Sequence, residues 1–228
     1  DESAELTNVQ FLDSANYLGE RALLAHCVHI DERDIRLLAA SGTKVAHNPL
    51  TNLVLGSGIA PVPTMHAAGV TVGLGTDNPS ANDTINPLSD MQYAALLHRG
   101  DRRDPGAVTA ERALEMATIE GARAIGRGEE LGSIESGKRA DMILLDLDQP
   151  HLTPRKNLVP TLVKQAMGHE IDTVLVEGSV VAEDGSVPGV EERYADLSRQ
   201  VQQRADAVVE RAGIDSLLDR PWTRSSPR

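Results

Sequence analysis

The chain has 228 residues, a formal net charge of −12, 40% hydrophobic and only 2% aromatic side chains. It can bury one good core, or one domain plus a smaller appendage, built from Leu, Val, Ile and Ala. The acidic balance, spread along the chain, argues against nucleic acid and anionic membrane as partners, because both need basic surface. No apolar run approaches the roughly 20 residues of a membrane span, and residues 1–5 have no signal-peptide character. The single cysteine, Cys27, excludes a disulfide within the chain. A cytoplasmic protein is expected, and the absence of a starting Met fits a fragment or a processed chain.

In chain order, the apolar run over 22–27 reads as a short buried strand that carries His26 and a structural Cys27. A helix is predicted from Asp31, its apolar face made by Ile35, Leu37, Leu38 and Ala39, with Asp31 as N-cap and Gly42 as the stop. A strand over 43–46 ends in His47-Asn48-Pro49. A Gly-rich stretch at 56–58 follows, then a helix over 62–68 with Gly69 at its end. The third strand, 70–74, delivers Gly75-Thr76-Asp77. Helices are predicted over 87–98 and 109–125, the latter closed by Gly126. Strand, helix, strand, helix, strand implies a parallel sheet with right-handed crossovers.

Beyond Gly126 the pattern changes. Short β-rich runs are predicted at 131–134, 141–145 and 173–176, and Glu177-Gly178 reads as a tight hairpin turn. The segment 150–160, with three prolines, reads as a surface connection, and 190–212 as a mostly polar helix.

Three parallel strands lying side by side would place His26, His47 and Asp77 around one mouth, where α/β barrels keep their chemistry. An Asp there can ligate a metal through one oxygen and take a proton with the other. A neighbouring His can hold a developing oxyanion or hydrogen-bond a hydroxide. On chemistry alone this is a weak constellation, because a hydrolytic zinc site needs three protein ligands and an open position. The alternative is that each His is a hydrogen-bonded structural residue. His29, His66, His98, His151 and His169 read as local, solvated or structural. Gly56-Ser57-Gly58 lacks the Lys and the spacing of a phosphate loop.

Four segments then carry a resemblance: Ala25-His26-Cys27-Val28-His29-Ile30, the run from Val45 through His47-Asn48-Pro49 to Leu53, the run from Gly56 to Val62, and Val72-Gly73-Leu74-Gly75-Thr76-Asp77. Together they resemble the C-terminal half of the amidohydrolase superfamily. The branch is the cytosine-deaminase-like one, with methylthioadenosine/S-adenosylhomocysteine deaminases, guanine deaminases and triazine hydrolases. A fifth segment, from Leu131 to Asp141, resembles the return into that family's small β-sandwich.

The resemblance implies an α/β fold: a partial TIM-type (β/α)8 barrel holding strands 6–8 and their helices, then part of the β-sandwich and a C-terminal helix. The boundaries it implies are 1–126 for the barrel part, 127–189 for the sandwich part and 190–228 for the helix and tail. It implies His26 and Asp77 as catalytic residues, Asp77 also as metal ligand, and His47 as a substrate contact. The cofactor implied is one divalent metal, zinc in preference to iron. The substrate implied is an amino-substituted purine, pyrimidine or triazine attacked by a metal-activated water.

The H-x-H pair and the H-x-x-E pair of the family's first and fifth strands have no counterpart in this sequence, which by the resemblance is expected to begin just after the fifth strand. The chain alone is therefore expected not to hold zinc tightly. It is expected to be a homo-oligomer or to associate with a chain supplying the missing barrel half. The change to Asn78-Pro79-Ser80 after Asp77 weakens adenosine-type specificity. Two alternatives stay open: a catalytically incomplete structural or assembly module, and a cyclic-amide or imidazolone hydrolase on the same scaffold.

Overall fold

The computed structural model describes residues 6–218. Helix α1 (Asn8–Ser14) is started by Thr7, whose hydroxyl accepts from the N–H of Gln10. Strand β1 (Leu23–Ala25) leads to α2 (Glu32–Ser41). Asp31 caps α2 in a full capping box with Asp34, and Gly42 closes it in the left-handed conformation, φ 71°, that glycine adopts at least cost. Strand β2 (Lys44–His47) runs into α3 (Pro49–Val54), a helix that follows from Pro49 at its first position. After α4 (Val62–Ala67) comes β3 (Val72–Leu74), then the short α5 (Pro79–Asn82).

The three strands form a parallel sheet in the order β1-β2-β3, with Leu24 opposite Val45 and Val45 opposite Val72. Along β2 and the residue before it, Thr43, Val45 and His47 are buried while Lys44 and Ala46 are half-buried. The period-2 pleat thus puts His47 on the face of Val45, which is packed in the hydrophobic core.

Helix α6 (Pro87–Arg102) is longer than its predicted span and is followed by α7 (Ala110–Ala117) and α8 (Ile119–Ala124). The single helix predicted over 109–125 is broken at Thr118, whose hydroxyl bonds back to the Leu114 carbonyl at 2.6 Å. Such back-bonding bends helices. The break lets α8 lie close on β3: a Cβ on Gly73 would stand 2.9 Å from the Gly121 Cα.

The run 131–134 forms bends rather than the predicted strand. Gly132, at φ 89°, presses so closely on α8 that a Cβ would lie 2.7 Å from the Ile119 Cα. A second, antiparallel sheet is made by β4 (Met142–Leu145), β5 (Ile171–Val176) and β6 (Ser179–Glu183), with Glu177-Gly178 turning the last hairpin at φ 52° and 78°. The segment 150–160 is only partly a connection. Pro150–Leu152 makes a 3₁₀ turn that buries Leu152, and α9 (Leu158–Gln165) starts inside the segment. Pro160 fits in the first turn of α9, where an N–H has no helical acceptor.

Helix α9 packs against α6 and α7, and its Val163 joins Leu38, Val45, Met65, Val72 and Met116 in one core. Helix α10 (Glu191–Ala212) buries none of its residues, and α11 (Asp215–Leu218) ends the described chain. Among the described residues no helix is long and apolar enough to cross a membrane.

Candidate active site

The C-terminal ends of β1 and β3 are both turned by left-handed backbone. Strand β1 stops at Ala25, and His26 and Cys27 follow at φ 67° and 48°; Asp77, after β3, has φ 59°. A non-glycine residue in that region costs on the order of 1–2 kcal/mol. Such strain persists where the surroundings over-determine it. The ladder continues through both turns: the N–H of His26 donates to the Ala46 carbonyl, and that of Gly75 to His47, both at 2.9 Å. Cys27 therefore lies beyond the strand, not within it. It is half-buried, and burial together with the nearby Asp34 carboxylate pushes its thiol up to about 11, the inert form of a cysteine.

These turns bring His26 and Asp77 together. The His26 Nε2 lies 3.6 Å from Asp77 Oδ2, with the side chains 41% and 22% exposed. Nδ1 of His26 donates to Oδ1 of Asn52 at 2.9 Å, while the Asn48 amide nitrogen is 3.4 Å from the same atom, the outer edge of a hydrogen bond. The shorter contact, to a carbonyl oxygen, puts a proton on Nδ1 and turns Nε2 toward Asp77. Asp77 is fixed in turn, because its Oδ1 accepts from the N–H of Asn78 at 2.8 Å. The amide of Asn82 donates to the Thr76 carbonyl at 2.6 Å and pins the loop behind it. Gly75 is required at its place, since a Cβ there would stand 2.3 Å from Asn48 Oδ1. A cavity of about 500 Å³ opens beside His26, lined also by Cys27, Val28, His29 and Asn52.

His47 is not at this mouth. It is fully buried, and its Nε2 is 3.1 Å from Nε2 of His98 on α6. One ring donates to the other, and Nδ1 of each has no partner. Burial, then the neighbouring His98, His66 and His26, push the imidazole of His47 down to about 3. Burial lowers His98 to about 4, against a raising effect from Asp101. Both rings are neutral at pH 7.

Asn48, Asn52 and Asn82 are the site residues that residue-by-residue reasoning missed. Pro49 after the short strand signals a helix start; Asn48 is the N-cap of that helix and Asn52 lies four residues on, one turn into it.

A divalent metal fits the mouth in part. Asp77 Oδ2 accepts from no backbone or amide donor among the described residues, and with His26 Nε2 it supplies two donors at ligand spacing. A catalytic zinc takes three protein ligands. Among the described residues no third ligand-type side chain completes a group there.

The amidohydrolase family model matches residues 2–181. The chain belongs to the amidohydrolase family. It is 47% identical over 208 residues to an S-triazine hydrolase of Gordonia rubripertincta, covering 90% of this chain and 43% of that protein. It is 42% identical over 199 residues to a 5-methylthioadenosine/S-adenosylhomocysteine deaminase of Moorella thermoacetica, covering 86% and 46%. The crystal structure of an adenosine deaminase from Xanthomonas campestris with bound zinc superposes with a TM-score of 0.83 at 30% identity, over 86% of this chain and 45% of that one. The atrazine chlorohydrolase of Arthrobacter aurescens complexed with zinc gives 0.79 at 31%, over 85% and 44%. This amidohydrolase chain thus spans somewhat less than half the length of these relatives.

Proposed function

We propose that this chain is strands six to eight of a metal-dependent hydrolase barrel, followed by part of the small β-sandwich. The assembled barrel hydrolyses an amino-substituted heterocycle (a purine, pyrimidine or triazine) and releases ammonia. In a triazine-hydrolase variant the leaving group is chloride or an alkylamine. The observation that carries this reading is the approach of His26 Nε2 to Asp77 Oδ2 at the ends of parallel strands. The likeness to named deaminases and triazine hydrolases supports the reaction class.

Asp77 Oδ2 would hold the metal, zinc in preference to iron, which supplies a water acidic enough to attack near neutral pH. The rest is done by the chain itself. Asn52 keeps the His26 proton on Nδ1, so that Nε2 accepts a hydrogen bond from the attacking water and orients it. The Asp77 carboxylate receives the proton that the water loses and passes it to the leaving nitrogen. The Asn78 N–H holds Asp77 in place for both steps. The outer edges of β1 and β3 have no strand partner among the described residues, which supports completion by further strands, in the same polypeptide or in a second chain. A cytoplasmic location is part of the proposal.

The test is ammonia release from adenosine-type, guanine and aminotriazine substrates by the protein carrying this segment with its complementary strands. Asp77→Asn should cut turnover by about 10² to 10⁴, the usual worth of a general acid–base group, and leave the fold intact. Turnover retained in that variant refutes the assignment.

A further inference from the structure

A second group of ligand-type side chains lies outside the mouth, beside the antiparallel sheet. His151 is held by the 3₁₀ turn, and His169 and Glu170 end the turn that enters β5. One donor atom from each of the three lies within 4.8 Å of the others.

Glu170 is 1% exposed. Its Oε1 accepts from the Met167 N–H at 2.8 Å and lies 3.0 Å from Nε2 of His151, and its Oε2 accepts from the Gly168 N–H at 2.6 Å. The result is a buried carboxylate fixed in position, with no Lys or Arg paired to it among the described residues. A buried charge needs a compensating partner.

His151 Nε2 stands against the carboxylate, and His169 lies next to the His151 ring. The His169 side chain is exposed, and its ring stands 4.8 Å from the His151 ring, centroid to centroid, at 49°. It adds a second imidazole at the solvent side of the pair.

We propose that His151, His169 and Glu170 bind a divalent cation of the zinc class, at a site separate from the mouth. Two imidazoles and one carboxylate suit zinc and its transition-metal neighbours, whereas magnesium and calcium take oxygen ligands. Three protein ligands leave a position open to water. The backbone N–H groups on Glu170 act as the supporting shell that orients a metal-bound carboxylate. The cation ties the 3₁₀ turn to the entry of β5, so binding stabilises the folded chain by mass action. Zinc held by the isolated chain is then held here and not by the two donors at the mouth.

The experiment is calorimetric titration of the 228-residue chain with zinc(II) at pH 7.5, with melting temperatures recorded with and without the metal. The wild type and a His26→Ala/Asp77→Asn double variant should each bind about one zinc per chain and melt higher with it. His169→Ala should bind at least roughly tenfold more weakly and lose the zinc-dependent rise, while its metal-free melting temperature stays that of the wild type. His169→Gln, which keeps a polar side chain of similar size, should behave in the same way. Absence of zinc binding by the wild type, or binding that survives His169→Ala but is lost in the double variant, overturns the proposal.

Discussion

His26 and His47 leave neighbouring strands of one sheet and meet opposite fates. His26 follows a strand that turns abruptly into left-handed backbone, which swings its ring to the partly exposed mouth opposite Asp77. His47 is the last residue of a regular strand and obeys the pleat, which packs it against α6 with the core side chains. One ring is held by an amide with its Nε2 free for chemistry. The other is neutral, dry and bonded to a second histidine. Residue type and distance from a strand end do not distinguish them; the backbone conformation at the end of the strand does.

His98→Ala removes the partner of His47 Nε2 and leaves a cavity, so a loss of about 3 kcal/mol is expected from urea unfolding at pH 7. A loss below about 0.5 kcal/mol, the range of ordinary surface substitutions, would mean that the pair is not the packed unit described.

The same pair sets an acid limit. Both imidazoles lie below the ordinary histidine range in the folded state, at about 3 and 4. Their contribution to stability is therefore fully present above pH 6.5 and is lost as pH falls toward 4 and then 3. The unfolding midpoint should fall between pH 7 and pH 4.5, and fall less in a His47→Leu/His98→Leu variant. An equal slope in the two proteins would contradict this origin.

On the mouth side, Gly75→Ala forces a Cβ onto the Asn48 side chain and should cost about 2 kcal/mol, as overpacking does. An Ala variant as stable as the wild type would show that Asn48 is not fixed beside His26.

A further test lies at Asp90, a buried residue of α6 with one unpartnered oxygen. Burial raises its carboxyl group to about 6, against a lowering hydrogen bond from the Leu50 N–H. A raised folded value makes its contribution full below pH 4 and lost as pH rises through 6. Asp90→Asn should therefore gain on the wild type between pH 4 and pH 7, read as a growing difference in unfolding midpoint; a constant difference would contradict the burial argument.

Much of this fold was legible because local signals were strong. Asp31 and Gly42 bracket α2 as their capping chemistry requires, and Glu177-Gly178 turns the hairpin. The segments around His26 and Asp77 carried the family. What was not legible depended on contacts between distant residues. Nothing near Thr118 announces that Gly73 and Gly121 touch, and nothing in 131–134 announces that Gly132 is pressed onto α8 instead of pairing. The burial of His47 was within reach, because Thr43 and Val45 mark its face as the core face. Asn52 was harder to find: its role depends on two left-handed residues after β1, a conformation that His and Cys do not advertise.

At the mouth, the Asn52 carbonyl oxygen holds a proton on His26 Nδ1 and Nε2 faces Asp77. The most direct measurement is the long-range ¹⁵N–¹H spectrum of His26, assigned through a His26→Gln variant, in the wild type and in Asn52→Ala at neutral pH. The expected result is a ring with its proton on Nδ1 in the wild type and a spectrum altered at Nδ1 in the variant. A wild-type ring protonated at Nε2 alone, or a spectrum indifferent to Asn52, would contradict this hydrogen-bonding scheme.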